Sequence, residues 1–477
     1  MKVLFVTSEL APWVKTGGLG DVAASLPPAL RQAGVDVRVL VPYYPALRRI
    51  FPDTTAPIVA TFGSFGAHFA GSALREAIAP DGTPLLLLDS LAYFDRPGNP
   101  YLGPEGHDWL DNHLRFGLLS RIAAWLGSEE NFLPWRPEVL HCNDWQSALA
   151  PAYLSLLPGG RAQSIVTVHN LAFQGLFGPH AVHELGLPVS AWSINGAEYY
   201  GYLSFLKAGL FYADAITTVS PSYAAEIQTV AEGMGLSGLL RDRRDQLTGI
   251  LNGIDTAVWD PANDAHLPYA YDAKRLTQKA KNKAALQAET GLAPRDDVPL
   301  LGIVSRLTHQ KGLDLVPLIQ QAIVDLPAQL AVLGSGDHAL EAEFRRLAAL
   351  HPGNIAVRIG FDEGLAHRIE AGADIFLMPS RFEPCGLNQM YSLRYGTPPV
   401  VRATGGLADT VKDGVNGFSF VAPTAEALLA TIQRAVTAWK SKTAWRKLQR
   451  NGMAGDVGWS GPAGQYAALY ENLLGKP

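Results

Sequence analysis

Short apolar runs recur along the chain, and each is followed by a polar or glycine-containing turn and then by a segment with helical periodicity. The runs are rich in β-branched residues and do not alternate, which is typical of strands covered on both faces. They predict strands at 3–6, 37–41, 85–88, 139–140, 165–168, 215–219, 301–304, 330–333, 355–359, 375–378 and 399–401. Helical patterns, for example at 22–33, 340–350 and 425–440, separate most of the runs. This alternation predicts an α/β fold with parallel sheets and right-handed crossovers.

The runs fall into two groups, the first ending near Val219 and the second beginning near Leu301. A charge-rich segment at 241–245 and a lysine-rich helical segment at 273–290 lie between them. We predict an N-terminal Rossmann-like domain over 1–247, a C-terminal one over 248–458, and a final helix in 459–477 that packs back on the first domain. We expect two doubly wound sheets facing each other across a deep cleft, where ligands meet the carboxyl ends of the strands.

Length, net charge and cysteine content disfavour several classes of protein. The 477 residues exceed what one core usually supports, and the net charge of −5 disfavours nucleic acid as a partner. The two cysteines, Cys142 and Cys385, lack the spacing of a zinc site, which favours a reducing compartment. The N-terminus lacks the pattern of a signal or transit peptide, and the sequence shows no apolar stretch that is long enough to span a bilayer. We expect a cytoplasmic protein with no membrane partner.

A glycine-rich turn follows the first predicted strand. Gly17, Gly18 and Gly20 precede a helix that we predict to begin near Asp21, and Lys15 stands just before the turn. Backbone N–H groups at such a helix start suit a phosphate or a sugar hydroxyl. The alternative is a tight turn that needs glycine for positive φ. The spacing is not GxGxxG, which disfavours a dinucleotide-dependent dehydrogenase.

Two cations follow the strand at 301–304, in the segment RLTHQKG. Arg306 and Lys311 would lie at the carboxyl end of that strand, where a diphosphate could be neutralised by side-chain cations. The sequence offers no pair of aspartates at a strand end that would hold a divalent ion instead. The alternative is a surface salt-bridge pair.

A third cluster, beginning PSRFEPCGLNQ, follows the strand at 375–378. Glu383 could accept sugar hydroxyls, while N–H groups at the start of a helix over 388–395 hold phosphate. Glu383 could instead cap that helix. The segment GSGD at 334–337 is interpreted as an ordinary strand-to-helix turn.

Two loops in the N-terminal half place polar groups beside aromatic residues. HCNDWQ at 141–146 and TVHNLAFQG at 167–175 each follow a predicted strand. Such neighbours suit sugars, which present both hydroxyl edges and CH faces. A lone histidine or tryptophan is more often part of a core, and this alternative stays open here.

Taken together, these segments resemble the bacterial glycogen synthase and plant starch synthase family, over essentially the whole chain. The resemblance rests on KVLFVTSELAPWVKTGGLGDV, HCNDW, TVHN, NGID at 252–255, RLTHQKG and SRFEPCGLNQMYSLRYGTPPVVRATGGLADTV. It implies a retaining transferase of the two-Rossmann-domain (GT-B) type, which moves glucose from ADP-glucose to the non-reducing 4-OH end of glycogen or another α-1,4-glucan. It implies no metal and no organic cofactor.

The resemblance also implies the site residues. The catalytic residues are Lys15, His169, Arg306, Lys311 and Glu383. The substrate-binding residues are Gly17, Gly18, Asp21, Asp144, Trp145, Asn252, Phe361, Cys385, Gly386, Leu387 and Asn388.

Roles follow from the same resemblance. Arg306 and Lys311 match a phosphate-binding pair, and Glu383 matches the glutamate that holds the transferred glucose. His169 matches a histidine beside the anomeric centre. Trp145 corresponds to a glucan-acceptor contact.

Three positions depart from the pattern of relatives. Asn388 replaces a threonine that many bacterial members carry, and Phe361, placed where members stack an aromatic ring on adenine, lacks a tyrosine hydroxyl. Tyr391 stands where relatives outside the family carry a second glutamate for the ribose, which favours the synthase branch.

Rival functions on the same scaffold are a UDP-sugar transferase, a sucrose synthase-like enzyme and a phosphorylase. A catalytically silent glucan-binding protein is a further rival, and it would be expected to lack the cation pair or Glu383. Oligomeric state, glucan length, regulation and donor selectivity stay open.

Overall fold

A mainly parallel β-sheet forms the centre of each of two units in the computed structural model, which describes residues 1–64 and 68–475. Unit 1 comprises Met1–Gly253 and the chain from Trp459 onward, and unit 2 comprises Ile254–Gly458. The first division therefore lies six residues after the 247–248 boundary placed from the sequence.

The sheet of unit 1 has the strand order β12-β11-β7-β6-β1-β2-β5-β4-β3. The pairs β3–β4 and β4–β5, at one edge, are antiparallel. All the other neighbouring pairs in this sheet are parallel. A small antiparallel sheet has the order β8-β10-β9. The strands are β1 (Lys2–Val6), β2 (Asp36–Pro42), β3 (Ile58–Phe62), β4 (Ser72–Ile78), β5 (Pro84–Asp89), β6 (Val139–Asn143), β7 (Gln163–Val168), β8 (Leu176–Phe177), β9 (Glu198–Tyr199), β10 (Tyr202–Ser204), β11 (Ala215–Thr218) and β12 (Leu247–Gly249).

The helices of unit 1 lie mostly between these strands. They are α1 (Gly18–Gln32), α2 (Pro45–Ile50), α3 (Leu91–Phe94), α4 (Asn112–Leu126), α5 (Asp144–Ser147), α6 (Ala150–Leu156), α7 (Ala181–Glu184), α8 (Phe205–Tyr212), α9 (Pro221–Glu226) and α10 (Ser237–Asp242). Short 3-10 turns occur at Val189–Ala191 and Arg244–Gln246. Helix α1 begins at Gly18 and not near Asp21, because the glycines themselves form its first turn.

The sheet of unit 2 has the order β15-β14-β13-β16-β17-β18, with parallel pairing throughout. Its strands are β13 (Leu300–Val304), β14 (Gln329–Gly334), β15 (Ile355–Ile359), β16 (Ile375–Met378), β17 (Pro399–Arg402) and β18 (Phe418–Phe420). Its helices are α11 (Lys279–Thr290), α12 (Leu315–Leu318), α13 (Gln320–Asp325), α14 (His338–Leu350), α15 (Glu363–Gly372), α16 (Asn388–Arg394), α17 (Gly405–Thr410), α18 (Ala425–Trp439) and α19 (Lys442–Ala454). Further 3-10 turns occur at Leu276–Gln278 and His309–Lys311.

Each apolar run identified in the sequence overlaps a strand of one of the two sheets, and the fold class is confirmed. The central strands are buried on both faces, as the absence of alternation in those runs requires; Leu4, Phe5 and Val6 of β1 are fully buried. Lysine-rich α11 begins at Lys279, later than the predicted start at 273, because a 3-10 turn precedes it. The GSGD segment is a strand-to-helix turn in which Asp337 accepts hydrogen bonds from the first N–H groups of α14.

The last helix, α20 (Ser460–Leu473), belongs to unit 1 and packs against α1. Tyr470, on α20, bonds through its hydroxyl to Nδ1 of His141 at 2.7 Å, and Nε2 of His141 bonds to Oγ1 of Thr167 at 2.6 Å. Burial lowers the pKa of His141 to about 3, so the ring is neutral at physiological pH. A neutral histidine on β6 thus joins the end of the chain to the centre of the first sheet.

Among the helices in the described part of the chain, none has both the length and the apolar character that crossing a bilayer requires.

Substituting Tyr470→Phe should destabilise unit 1 by about 1–2 kcal/mol, because it leaves Nδ1 of the buried His141 without its partner. Chemical unfolding followed by tryptophan fluorescence measures the change. Tyr202→Phe, at a half-exposed position on β10, serves as the control and should leave the midpoint unchanged. Equal midpoints for Tyr470→Phe and the parent chain would contradict the role given to this hydrogen bond.

Candidate active site

The predicted site residues of unit 1 lie at the carboxyl end of its sheet. The turn with Lys15 and Gly17 follows β1, Asp144 and Trp145 follow β6, and His169 follows β7. These strands are neighbours in the order β7-β6-β1, so their loops meet at one edge. Asn252 follows β12, at the edge strand of the same sheet.

A buried carboxylate that the sequence analysis missed holds the glycine-rich turn. Oε2 of Glu9 accepts hydrogen bonds from the backbone N–H groups of Thr16, at 2.8 Å, and Gly17, at 3.3 Å. Oε1 accepts from the hydroxyls of Thr16, at 2.5 Å, and Tyr101, at 2.6 Å. Glu9 is 2% exposed. A lone glutamate inside the apolar segment SELAPW was the only signal for this role in the sequence.

The glycines of this turn are not required for positive φ. Gly17 is extended, with φ −162°, and Gly18 and Gly20 lie within α1. A Cβ added at Gly17 would meet no protein atom within 4 Å, so packing within the protein does not explain the glycine either. The space beside Gly17 suits a ligand that approaches the backbone closely.

Lys15 and Asp21 form an ion pair at the start of α1, with 2.7 Å between Nζ and Oδ1. About a third of each side chain is exposed, at 35% and 29%. Both residues are therefore placed beside Gly17 and Gly18 with charge available at the protein surface.

Asp144 is held in a left-handed conformation, with φ 53°, which costs energy in a residue other than glycine. Its Oδ1 accepts from the backbone N–H groups of His169, at 2.7 Å, and Asn170, at 3.4 Å. Burial raises the pKa of Asp144 to about 7, against the lowering effect of these bonds. Asp144 thus connects the loop after β6 to the loop after β7.

The tautomer of His169 follows from its neighbour Asn143. Nδ2 of Asn143 donates to the backbone oxygens of Val6, at 3.0 Å, and His141, at 3.3 Å, so its Oδ1 faces His169. Nε2 of His169 lies 2.9 Å from that oxygen and must be the donor. Burial lowers the pKa of His169 to about 3. The ring is neutral, with a lone pair on Nδ1 that can accept a hydroxyl hydrogen.

Trp145 lies in an aromatic cluster. Its ring centre is 5.0 Å from that of Phe116, 5.8 Å from Phe177 and 6.1 Å from Phe205. Trp145 is only partly buried, so part of its surface is accessible while the rest packs. Trp145 therefore packs in the core with part of its surface and leaves another part accessible to a ligand.

Asn252 is buried, yet its Oδ1 makes no hydrogen bond to any residue of 1–64 or 68–475. A buried acceptor without a partner is costly unless a ligand or a water satisfies it. This supports its placement among the predicted binding residues.

In unit 2, Lys311 and Glu383 are joined directly. Nζ of Lys311 lies 2.8 Å from Oε1 and 2.6 Å from Oε2 of Glu383, and the Ser380 hydroxyl donates to Oε2 at 2.8 Å. The side chains are 17% and 6% exposed. Helix α16 has Leu387 at its N-cap and no side-chain cap, so the interpretation of Glu383 as a helix cap was wrong.

Two loops hold this ion pair in place. The N–H of Arg381 donates to the oxygen of Gln310 at 2.8 Å, and Arg381 makes a bidentate ion pair with Asp314 at 2.6 and 2.7 Å. Gly312 has φ 64°, and a Cβ there would lie 2.0 Å from the oxygen of Pro379. Only glycine permits this approach of the loop after β13 to the loop after β16.

Arg306 is exposed, and its guanidinium makes no hydrogen bond or ion pair within the described residues. It follows β13, which neighbours β16, so its backbone lies at the same edge of the sheet as the loops that carry Lys311 and Glu383. The alternative explanation, in which this cation belongs to a surface salt bridge, therefore does not apply to Arg306 within the described residues.

The segment from Cys385 to Asn388 leads into α16, as predicted. Gly386 has φ 72°, and Nδ2 of Asn388 donates to the oxygen of Val304 at 2.6 Å, at the end of β13. The amide of Asn388 thus serves to join two strand ends. Leu387 and Gly386 are partly exposed, which leaves the helix start accessible.

Phe361 follows β15, two strands from β13 and therefore about 10 Å along the sheet edge from the position of Arg306. Its ring is 81% exposed. Tyr391 is buried and stacks on Trp259, with ring centres 3.7 Å apart. Phe361 is free to stack on a ligand, whereas Tyr391 is part of the packing of unit 2.

The sequence is similar to known glycosyltransferases along most of its length. Residues 2–242 match the family model described as the starch synthase catalytic domain, and residues 288–452 match glycosyl transferases group 1. A glycogen synthase of Dechloromonas aromatica (strain RCB) is 56% identical, covering 99% of each chain. One of Aromatoleum aromaticum is 54% identical, covering 98% of this chain and 96% of the relative.

A solved structure agrees with these matches. The catalytic domain of starch synthase IV from Arabidopsis thaliana, bound to ADP and acarbose, superimposes with a TM-score of 0.85 and 29% identity, covering 99% of each chain. The sucrose-phosphate synthase of Thermosynechococcus elongatus, at 18% identity and a TM-score of 0.61, shares the fold.

Substituting Glu9→Gln should destabilise unit 1 by about 2 kcal/mol, because an amide NH₂ would face some of the four donors that now bond to a carboxylate. Chemical unfolding measures this. Glu130→Gln changes an exposed glutamate of the same unit and should have no effect. An unfolding midpoint for Glu9→Gln equal to that of the control would refute the bracing role of Glu9.

Asp144 should make stability fall as pH rises. Its pKa of about 7 in the folded chain exceeds the 3.8 of a free aspartate, so between about pH 4 and 7 the folded state retains a proton that the unfolded state releases. Asp144→Asn removes this titration, and its stability relative to the parent chain should rise between pH 5 and pH 8. Unfolding midpoints at the two pH values give the comparison, with exposed Asp242→Asn as the control. A difference that does not change with pH would contradict the raised pKa.

Proposed function

The chain belongs to the glycogen synthase and starch synthase family, and we propose on that premise that it transfers glucose from ADP-glucose to the non-reducing 4-OH end of an α-1,4-glucan, with retention of configuration. The observation that carries this proposal is the Lys311–Glu383 pair with the unpaired Arg306 on the neighbouring strand end. Full-length relatives at 56% and 54% identity carry the name glycogen synthase.

Unit 2 supplies the groups that a nucleotide sugar needs. Lys311 uses two N–H groups on Glu383 and retains a third for a phosphate oxygen. Arg306 offers a guanidinium with no partner among residues 1–64 and 68–475, and its planar fork matches phosphate geometry well. We propose that these two cations bind the diphosphate, that Phe361 stacks on the adenine, and that the start of α16 donates N–H groups to phosphate.

Glu383 is proposed to bind the glucose that is transferred. Its two oxygens accept from Lys311 and Ser380, and their remaining lone pairs can accept sugar hydroxyls. The ammonium of Lys311 offsets the charge of the buried carboxylate. One lysine therefore serves both the sugar and the phosphate that leaves it.

Unit 1 supplies polar and aromatic groups that suit the glucan, and it also supplies the glycine-rich turn. Trp145 offers an apolar face, and Nδ1 of neutral His169 and the carboxyl of Asp144 can accept hydroxyl hydrogens. We propose that Lys15 and the N–H groups at Gly17 and Gly18 act on the phosphates. The solved starch synthase IV domain is bound to ADP and acarbose, and both ligand classes are proposed here for this chain.

The proposed reaction breaks the bond between C1 of glucose and the phosphate oxygen, with positive charge developing on the sugar. The acceptor 4-hydroxyl forms the new bond on the face that ADP leaves. Its proton passes to the departing phosphate oxygen, so no protein base is needed, and attack on the same face gives retention without a protein nucleophile. Arg306 and Lys311 stabilise the charge that develops on ADP, and such fixed charges account for large rate effects.

No metal and no organic cofactor is expected to take part in this reaction, since the cation pair supplies the charge that a metal would supply. We also propose a cytoplasmic location, where a reducing environment keeps Cys142 and Cys385 as the free thiols of this structure.

Arg306→Ala is a direct test, since the Arg306 guanidinium makes no hydrogen bond or ion pair to the residues that the structure describes. Its kcat should fall about 10²-fold or more while the unfolding midpoint stays unchanged. Arg450→Ala, an exposed arginine on α19, is the matched control and should keep full activity. Initial rates of glucose incorporation into glycogen at saturating ADP-glucose measure both. Near-normal turnover by Arg306→Ala would refute the phosphate role.

Lys311→Ala should lose activity to a similar or larger degree, and it should also destabilise unit 2 by about 3 kcal/mol, because Glu383 is left buried and uncompensated. Combining Lys311→Ala with Glu383→Gln should recover stability without recovering activity. Recovery of both would show that Lys311 acts only through the fold.

Labelled ADP-glucose and UDP-glucose, each supplied with glycogen and with or without a chelator, test the donor and the absence of a catalytic metal. We expect faster incorporation from ADP-glucose and no loss of rate with chelator at a temperature where the chain stays folded. Preference for UDP-glucose, or strong metal dependence of kcat, would contradict the proposal.

A further inference from the structure

Three side chains of unit 1 that the proposed transfer does not use converge at one place. His113 lies in the first turn of α4, His180 stands immediately before α7, and Glu184 ends α7. Their nearest ligand atoms, two imidazole nitrogens and one carboxylate oxygen, all lie within 4.8 Å of one another.

The three residues differ in exposure in a way that suits a bound ion. The His113 side chain is 8% exposed and that of Glu184 33%, and Nε2 of His113 lies 2.6 Å from Oε2 of Glu184. His180 is exposed, and its ring is nearly perpendicular to that of His113 with 5.8 Å between centres. One ligand is therefore fixed inside the protein, while another can close from solvent.

We propose that His113, His180 and Glu184 bind a divalent transition-metal ion of the Zn²⁺ class. Two imidazoles and one carboxylate form a common protein ligand set for such ions, with a fourth position open to water. His180 and Glu184 are four residues apart, so a single helical turn places both on one side. Ca²⁺ and Mg²⁺ are disfavoured, because they prefer oxygen ligands.

Only a small rearrangement separates the present geometry from a bound state. Zinc–ligand distances of about 2.1 Å in a tetrahedral site place the ligand atoms about 3.4 Å apart, and in this structure they lie within 4.8 Å of one another. The exposed ring of His180 can cover that difference by side-chain rotation. Nε2 of His113, which now donates to Glu184, would release that proton to solvent and turn its lone pair to the ion, with the ring proton on Nδ1.

Such an ion would join two segments that are distant in the chain. It would tie the start of α4 to α7, and the ring of Phe177 on β8 packs beside His113 with 5.6 Å between centres. The ion would therefore stabilise the segment that follows His169, and it would act on stability and not on the reacting atoms. A plain His113–Glu184 ion pair, without metal, is the competing explanation for the short contact.

The test uses the full chain after treatment with chelator. Titration with Co²⁺ should produce the visible absorption of a four-coordinate site with one ion per chain, and Zn²⁺ should displace the colour and raise Tm. His180→Ala and Glu184→Gln, at positions that are not fully buried, should each weaken binding about 10²-fold or more. His183→Ala is the matched control, since this exposed histidine lies on the same helix with its ring against His68, and it should bind as the parent does.

Equal Co²⁺ affinity in His180→Ala and the parent chain would overturn the proposal, as would binding that is lost in His183→Ala and kept in His180→Ala. Binding that requires millimolar metal in the parent chain would leave the plain ion pair as the explanation. Because the readouts are metal affinity, absorption and Tm, they do not depend on whether the chain transfers glucose.

Discussion

Buried carboxylates at the ends of parallel strands organise the loops of both sheets. Such a group is tolerated only when donors surround it, so it draws backbone and side chains into fixed positions. Glu9, after β1, gathers the glycine-rich turn through four hydrogen bonds. Asp144, after β6, takes up the loop of His169, and Glu383, after β16, takes up Lys311 and Ser380. The candidate site is built around these demands for hydrogen bonds.

The sequence was most informative where one physical requirement acted alone. Strands buried on both faces must be continuously apolar, so the central strands could be located from their runs. Cations at the ends of such strands predict an anionic ligand, since the edge of a parallel sheet is where ligands bind. Strands β3 and β4 and the small sheet of β8, β9 and β10 were missed, because they are short or alternate and lie at an edge.

Pairwise contacts between distant segments could not be read from the sequence. No periodicity or motif spacing indicated the role of Glu9, although Glu9 holds the turn that the glycines predicted. The pairing of Lys311 with Glu383 joins residues from two separate loops. From the sequence we predicted a separate ligand group for each, phosphate for Lys311 and sugar hydroxyls for Glu383. Partner identity depends on three-dimensional proximity, whereas a motif records only residue type and order. The same reason hid the convergence of His113, His180 and Glu184.

The return of α20 to the first sheet has a consequence for biosynthesis. Unit 2 consists of one uninterrupted stretch, Ile254–Gly458, so all of it is synthesised before α20. Unit 1 begins first but lacks Tyr470, the partner of His141, until α20 has been synthesised. The domain that is synthesised first therefore completes its core last, and its nascent form must persist with part of its apolar surface uncovered while the second domain is made.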